Sequence, residues 1–143
     1  MNRELVIKKS VQICAPVENV WEALVNPELT KKYVFGLEVY SDWIVGSPIV
    51  WKSQGENGKV MRKGKVIAIE PMSILQITDA AANDKTYSRI TYELCAENEN
   101  TVLTVTESDL DDTARLREDG AFWDRMLPAL KTLLENSENL ASR

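Results

Sequence analysis

Leu5-Val6-Ile7-Lys8-Lys9-Ser10-Val11-Gln12-Ile13-Cys14-Ala15-Pro16-Val17-Glu18-Asn19-Val20-Trp21-Glu22-Ala23-Leu24-Val25-Asn26-Pro27 changes its hydrophobic period once, and that change decides the fold. Up to Ile13 the odd positions Leu5, Ile7, Val11 and Ile13 are apolar, while Lys8, Ser10 and Gln12 separate them. This alternation predicts a strand with one buried face, on which Lys9 is out of place. Ala15-Pro16 stops the strand, with Pro16 expected at the first helical position and Glu18 in the first turn. Val17, Val20, Trp21, Leu24 and Val25 then recur at helical spacing through Asn26. Asn26-Pro27 repeats the device with a side-chain cap, predicting a second short helix to about Tyr33.

Beyond the helices the period returns to two. Strands are expected over 37–41, 49–53, 60–70, 74–78, 86–95 and 101–108. They are separated by Gly46-Ser47-Pro48, Gly55-Glu56-Asn57-Gly58, Glu70-Pro71, Ala82-Asn83-Asp84 and Glu97-Asn98-Glu99-Asn100. Connections this short favour antiparallel pairing, because a parallel pair needs a crossover of a dozen or more residues. Trp123, Leu127, Leu130 and Leu134 then share one helical stripe, predicting a closing helix from about Asp119 to Asn136, roughly 27 Å long. Pro128 falls inside it and predicts a kink. The tail from Ser137 to Arg143 is expected to fray.

Composition narrows the chemistry. The chain has 143 residues, 44% hydrophobic and 27% charged, as expected of a single domain over 1–143 that buries its own core without metal or disulfide. Histidine is absent, which excludes serine triads, zinc-hydrolase motifs and histidine-ligated haem. No cofactor is expected. Lys+Arg total 17 against 22 Asp+Glu, a net charge of -5, which argues against a nucleic-acid partner. Cys14 and Cys95 lie outside any CxxC motif and read as reduced core thiols. With no apolar signal core near Met1 and no stretch long enough for a membrane span, a cytoplasmic location is expected.

Strand, two short helices, a run of antiparallel strands and a long C-terminal helix is the order of an α+β helix-grip fold. Residues 13–24, Ile13-Cys14-Ala15-Pro16 through Leu24, resemble the opening signature of the SRPBCC, or START-like, superfamily. Ser41-Asp42-Trp43-Ile44-Val45-Gly46-Ser47, Gly64-Lys65-Val66 through Glu70-Pro71, Thr101-Val102-Leu103-Thr104-Val105, and Trp123 with Leu130-Lys131 and Leu133-Leu134-Glu135 resemble the branch related to activators of the ninety-kilodalton heat-shock chaperone ATPase. The resemblance spans about residues 5 to 136. It implies a curved sheet of about seven strands that encloses, with the long helix, a cavity for an apolar or amphipathic small molecule. Some members are cyclases, dehydratases or hydrolases. The eukaryotic co-chaperones carry an additional N-terminal domain, whereas this chain begins a few residues before its first strand, so a chaperone partner is not the expectation.

Aromatic and methionine side chains suit such a cavity. Trp51, Met61, Tyr92, Phe122, Trp123 and Met126 are the main candidates for ligand binding, with Tyr33 and Phe35 near the mouth. Trp21 is assigned to the core, and Trp43 to anchoring the corner before Gly46. Tyr92 shares the apolar face of its strand with Ile90 and Leu94, so its hydroxyl needs a buried partner or a ligand. Glu107 shares a face with Leu103 and Val105, as Lys9 does with Ile7 and Val11. The two strands are expected to be neighbours, and Lys9 and Glu107 are hypothesised to pair inside the cavity, where Glu107 could orient a polar head or act as an acid or base. The acidic run Glu107, Asp109, Asp111 and Asp112 lacks the spacing of a calcium loop, and Gly55-Glu56-Asn57-Gly58-Lys59 lacks the full phosphate-loop pattern.

The expected function is binding of a small hydrophobic or amphipathic molecule between sheet and helix, in a pocket of roughly 300 Å³ or more. An enzyme acting on such a ligand by cyclisation, dehydration or hydrolysis is the alternative, and the missing histidine tilts the choice toward binding. A chaperone-interacting protein is the third hypothesis. Oligomeric state is undecided by the sequence.

Overall fold

The chain runs β1 (Ile7–Ile13), α1 (Val17–Val25), α2 (Pro27–Tyr33), β2 (Glu38–Ser41), β3 (Pro48–Lys52), β4 (Val60–Glu70), β5 (Ile74–Ala81), β6 (Ser88–Glu97), β7 (Asn100–Ser108) and α3 (Thr113–Ala141). The computed structural model describes residues 5–54, 58–110 and 113–141, with side chains through residue 136. The seven strands form one antiparallel sheet in the order β1-β7-β6-β5-β4-β3-β2. This is the expected α+β helix-grip architecture. Register shifts at Trp51/Lys52 and Val66/Ala68 mark irregularities of the kind that bend a strand and increase its twist.

The caps explain where the short helices begin and end. Asn26 caps α2 as expected, its side chain accepting from the Glu28 amide at 2.9 Å with Pro27 behind it. Pro16 is the N-cap of α1 and not its first helical residue, because its ψ of 154° still continues the extended exit from β1. At the other end of α2 the Gly36 amide reaches back to the Lys31 carbonyl at 3.1 Å, a Schellman closure. It forces Phe35 into a left-handed conformation, φ 49°, where glycine is the usual occupant.

Two elements outrun their sequence-based bounds. β5 continues to Ala81 because Lys63 and Arg62 of β4 pair with Ala80 and Ala81. α3 starts at Thr113, six residues before the expected Asp119: Ala114, Leu116, Arg115 and Glu118 are good helix formers, and Arg115 bonds Asp119 one turn on. At its far end α3 reaches Ala141, past the expected start of fraying, and it runs through Pro128 as a single helix. The expected turn at Gly55-Glu56-Asn57, Asp111 and Asp112 of the acidic run, and the last two tail residues lie outside the described residues.

The core lies between the concave face of the sheet and the helices. Ile13, Leu75, Ile77, Ile90, Leu103 and Val105 meet Val20, Trp21 and Leu24 of α1 and Trp123, Met126, Leu127, Leu130 and Leu134 of α3, all buried. Each such side chain contributes about 1.5–3 kcal/mol by leaving water. Polar ties fix α3 to β1: Lys131 donates to the Gln12 carbonyl at 2.7 Å, and Glu135 accepts from the Cys14 amide at 2.9 Å. Trp43 packs against the core at the corner, its amide held by Ser41 Oγ. Cys14 and Cys95 are free as expected but exposed and not in the core. Cys95 alternates with buried Leu94 and therefore faces out with Arg89 and Glu93. Among the described residues no helix is long and apolar enough to cross a membrane.

Gly64 allows β4 and β5 to approach at a point where a Cβ would lie 1.8 Å from the Thr78 carbonyl oxygen. Gly64→Ala is expected to cost more than about 2 kcal/mol in urea unfolding. Gly120→Ala, in open space on α3, is expected to add about 0.5–1 kcal/mol in the same measurement.

Candidate cavity site

A cavity of about 130 Å³ lies between the sheet and α3. Leu24, Tyr33, Val34, Leu37, Trp51, Ile77, Ile90, Tyr92, Phe122, Trp123 and Met126 form its apolar wall, and Arg62, Asp79, Glu107 and Asp119 its polar wall. Arg62 and Asp119 keep about a third and a fifth of their side chains exposed, whereas Asp79 and Glu107 are buried. The volume is well below the roughly 300 Å³ expected, because rings fill the space: Tyr92 and Phe122 both pack edge-on against Trp123, with centroids 6.0 and 5.2 Å away. Room remains for one small ring, since an engineered 150 Å³ apolar cavity holds benzene.

Strand register assembles the polar wall. Ile90 lies opposite both Ile77 and Glu107, and Ser88 opposite Asp79, which in turn faces Gly64 two residues from Arg62. These groups occupy neighbouring rungs at one end of the sheet. From α3, Arg115, Asp119, Trp123 and Met126 descend one face at helical spacing and cover them.

Glu107 is at the centre, 2% exposed. Its Oε1 accepts from the Trp123 indole at 2.8 Å and its Oε2 from the Ser88 hydroxyl at 2.6 Å, with an Arg115 nitrogen 4.0 Å away. Burial, and then hydrogen bonding to the neighbouring Asp119 carboxyl, push its pKa up to about 7, although the Ser88 and Trp123 donors pull the other way. Asp79 is gripped by Arg62 through Nε at 3.1 Å and Nη2 at 2.6 Å, and Asp119 accepts from Arg115 Nε at 3.0 Å. Two guanidinium groups therefore face three carboxyls, and a proton on Glu107 balances the charge.

Of the nine residues singled out from sequence, Tyr33, Trp51, Tyr92, Glu107, Phe122, Trp123 and Met126 meet around this cavity. Phe35 does not line it: the left-handed turn leaves the residue 57% exposed, its ring edge-on to Phe122 and 5.5 Å from the Arg125 guanidinium. Met61 also lies outside it, 45% exposed, because Arg62 takes the inward position beside it. Lys9 pairs with Asp124 of α3 at 3.0 Å and not with Glu107. Its long side chain reaches the rim, where the charge keeps partial hydration. Arg62, Asp79, Ser88, Arg115 and Asp119 were not foreseen. A signal existed for Asp79, which shares the inward parity of Leu75 and Ile77.

A concave antiparallel sheet closed by a long helix over a cavity of mixed polarity is the arrangement of the START-like, or SRPBCC, proteins. Residues 14–135 match the family described as activator of Hsp90 ATPase homolog 1-like protein, and the chain belongs to that family. The solution structure of ChR145 from Cytophaga hutchinsonii is 33% identical, with a TM-score of 0.78 over 97% of this chain and 99% of that one. DynU16, a protein in the dynemicin biosynthetic locus, is 22% identical with a TM-score of 0.77, over 93% of this chain and 48% of that one. The Aha1 dimer from Colwellia psychrerythraea is 22% identical, TM-score 0.75, over 91% and 96%. Comparison with curated protein sequences gives no match.

The raised pKa of Glu107 makes stability pH-dependent. The folded state holds its proton between pH 4.5 and about 7, where the unfolded chain has released it, so this contribution is complete below pH 4.5 and lost as pH rises to about 7. Glu107→Gln removes the dependence. The difference in urea-unfolding stability between wild type and variant is expected to shift against wild type by on the order of 1–3 kcal/mol from pH 4.5 to 8. Parallel stability curves would contradict the assignment.

Proposed function

We propose that this protein binds a small amphipathic molecule, inserting a ring-sized apolar part among Tyr33, Trp51, Phe122 and Trp123 and turning its polar part toward the polar wall. The observation that carries this reading is the cavity itself, apolar on one wall and lined by a closed set of acids and arginines on the other. Such sites draw affinity from the apolar wall and orientation from a few polar groups. With about 130 Å³ available, a larger ligand would leave part of itself outside or displace α3.

A second reading has its own support. Glu107 is a desolvated carboxyl in a cavity with a pKa near 7, the property a general acid or base needs near neutral pH. On this reading the protein turns its ligand over by cyclisation, dehydration or hydrolysis. Family membership supports a third role, interaction with the chaperone ATPase, in which the cavity need have no part. A cytoplasmic location fits each of the three.

Native mass spectrometry of protein purified from its own source is expected to retain a small ligand, and a lipid and polyketide panel to raise the melting temperature. Ile90→Phe, which fills the cavity, is expected to abolish the shift. A protein that retains nothing and responds to no panel member would refute the binding reading. Turnover of a retained ligand, lost in Glu107→Gln, would favour the enzyme.

A further inference from the structure

Two buried tyrosines line the cavity, and they differ in one respect. Tyr33 donates its hydroxyl to the Ala23 carbonyl at 2.5 Å. Tyr92 is as well buried, 5% exposed, yet among the described residues its hydroxyl meets no hydrogen-bond partner. No enclosed side-chain nitrogen or oxygen among these residues lacks a partner, so the Tyr92 oxygen faces the open volume. Register and packing place it close to the polar wall. Tyr92 pairs with Val105, two residues from Glu107 on the same face, and the Trp123 ring that touches Tyr92 also donates to Glu107.

The other polar groups in the wall are engaged with one another. Asp79 is held by Arg62, Asp119 by Arg115, and Glu107 by Ser88 and Trp123. An anionic ligand would find both guanidinium groups already matched by the Asp79 and Asp119 carboxyls, with no positive charge left over for it. A cation would surrender its hydration to carboxylates already engaged. To these paired charges Tyr92 adds a neutral hydroxyl without a partner among the described residues, able to give or accept one hydrogen bond.

We infer that the cavity is a subsite for an uncharged ring bearing a single oxygen, a phenol or a cyclic ketone, held through that oxygen by the Tyr92 hydroxyl. This rests on the binding reading above and narrows its ligand class. Affinity comes from the ring against Trp51, Ile90 and Trp123, and orientation from Tyr92.

The test uses the intact protein and three probes, the isosteric pair phenol and toluene and the anion benzoate, titrated at pH 6 and followed by NMR. Phenol is expected to bind about fivefold more tightly than toluene, the worth of one neutral hydrogen bond. In Tyr92→Phe the preference is expected to vanish while toluene affinity stays unchanged, which also reports that the variant has folded around the same cavity. Benzoate is expected to bind at least tenfold more weakly than phenol. If toluene binds but phenol gains nothing, or its gain survives Tyr92→Phe, the inference is overturned and the binding reading stands. Benzoate binding as tightly as phenol overturns the uncharged class. If no probe binds, the binding reading and this inference fall together.

Discussion

The hydrogen bond from the Trp123 indole to Glu107 is the contact on which the cavity depends. It joins the middle of α3 to the concave face of the sheet, and both partners are 2% exposed. A carboxyl there is costly unless its oxygens are satisfied, and the donors come from two elements: Ser88 on β6 and Trp123 on α3, with Arg115 of α3 at longer range. The same bond fixes the indole plane, and that ring makes edge contacts with both Tyr92 and Phe122. The height of α3 above the sheet, and so the depth of the cavity, follows from this bond and from the packing of Leu127, Leu130 and Leu134 further along the helix.

Much of this architecture was legible in the sequence where period and cap agreed. Leu5 to Ile13 alternates, residues 17–25 repeat at helical spacing, and Asn26-Pro27 carries its own start signal; each matches an observed element within two residues. The inward orientation of Glu107 followed from its parity with Leu103 and Val105. Asp79 has the same parity with Leu75 and Ile77, but β5 was expected to stop at Thr78, one residue short. Local turn signals at Ala82-Asn83-Asp84 do not reveal that β4 holds β5 through Ala81.

The rest was illegible for reasons of geometry. Asp119 was taken as the start of a helix that in fact begins a turn and a half earlier, so its place on the Trp123 stripe was hidden. Met61 and Arg62 are adjacent, and composition favours the methionine for an apolar cavity; strand alternation turns the arginine inward, where its side chain meets Asp79 of β5. Phe35 was read by residue type, whereas the left-handed turn at the end of α2 decides its direction. Lys9 faces inward as its parity requires, but its length carries the charge to Asp124.

The pairing of β1 with β7 has a consequence during synthesis. Ser10 and Thr104, whose side chains touch in the folded sheet, are 94 residues apart. At about 5–20 residues per second, a newly made β1 waits roughly 5–20 s for its partner strand, and longer for the α3 residues that hold its end through Gln12 and Cys14. Throughout that interval it is an unpaired, half-apolar strand able to join a neighbouring chain. Lys8 and Lys9 place two adjacent positive charges on it, and charge on an open strand is how natural proteins discourage such encounters. The lysine that breaks the apolar pattern of β1 thus guards the nascent strand before it anchors the finished helix.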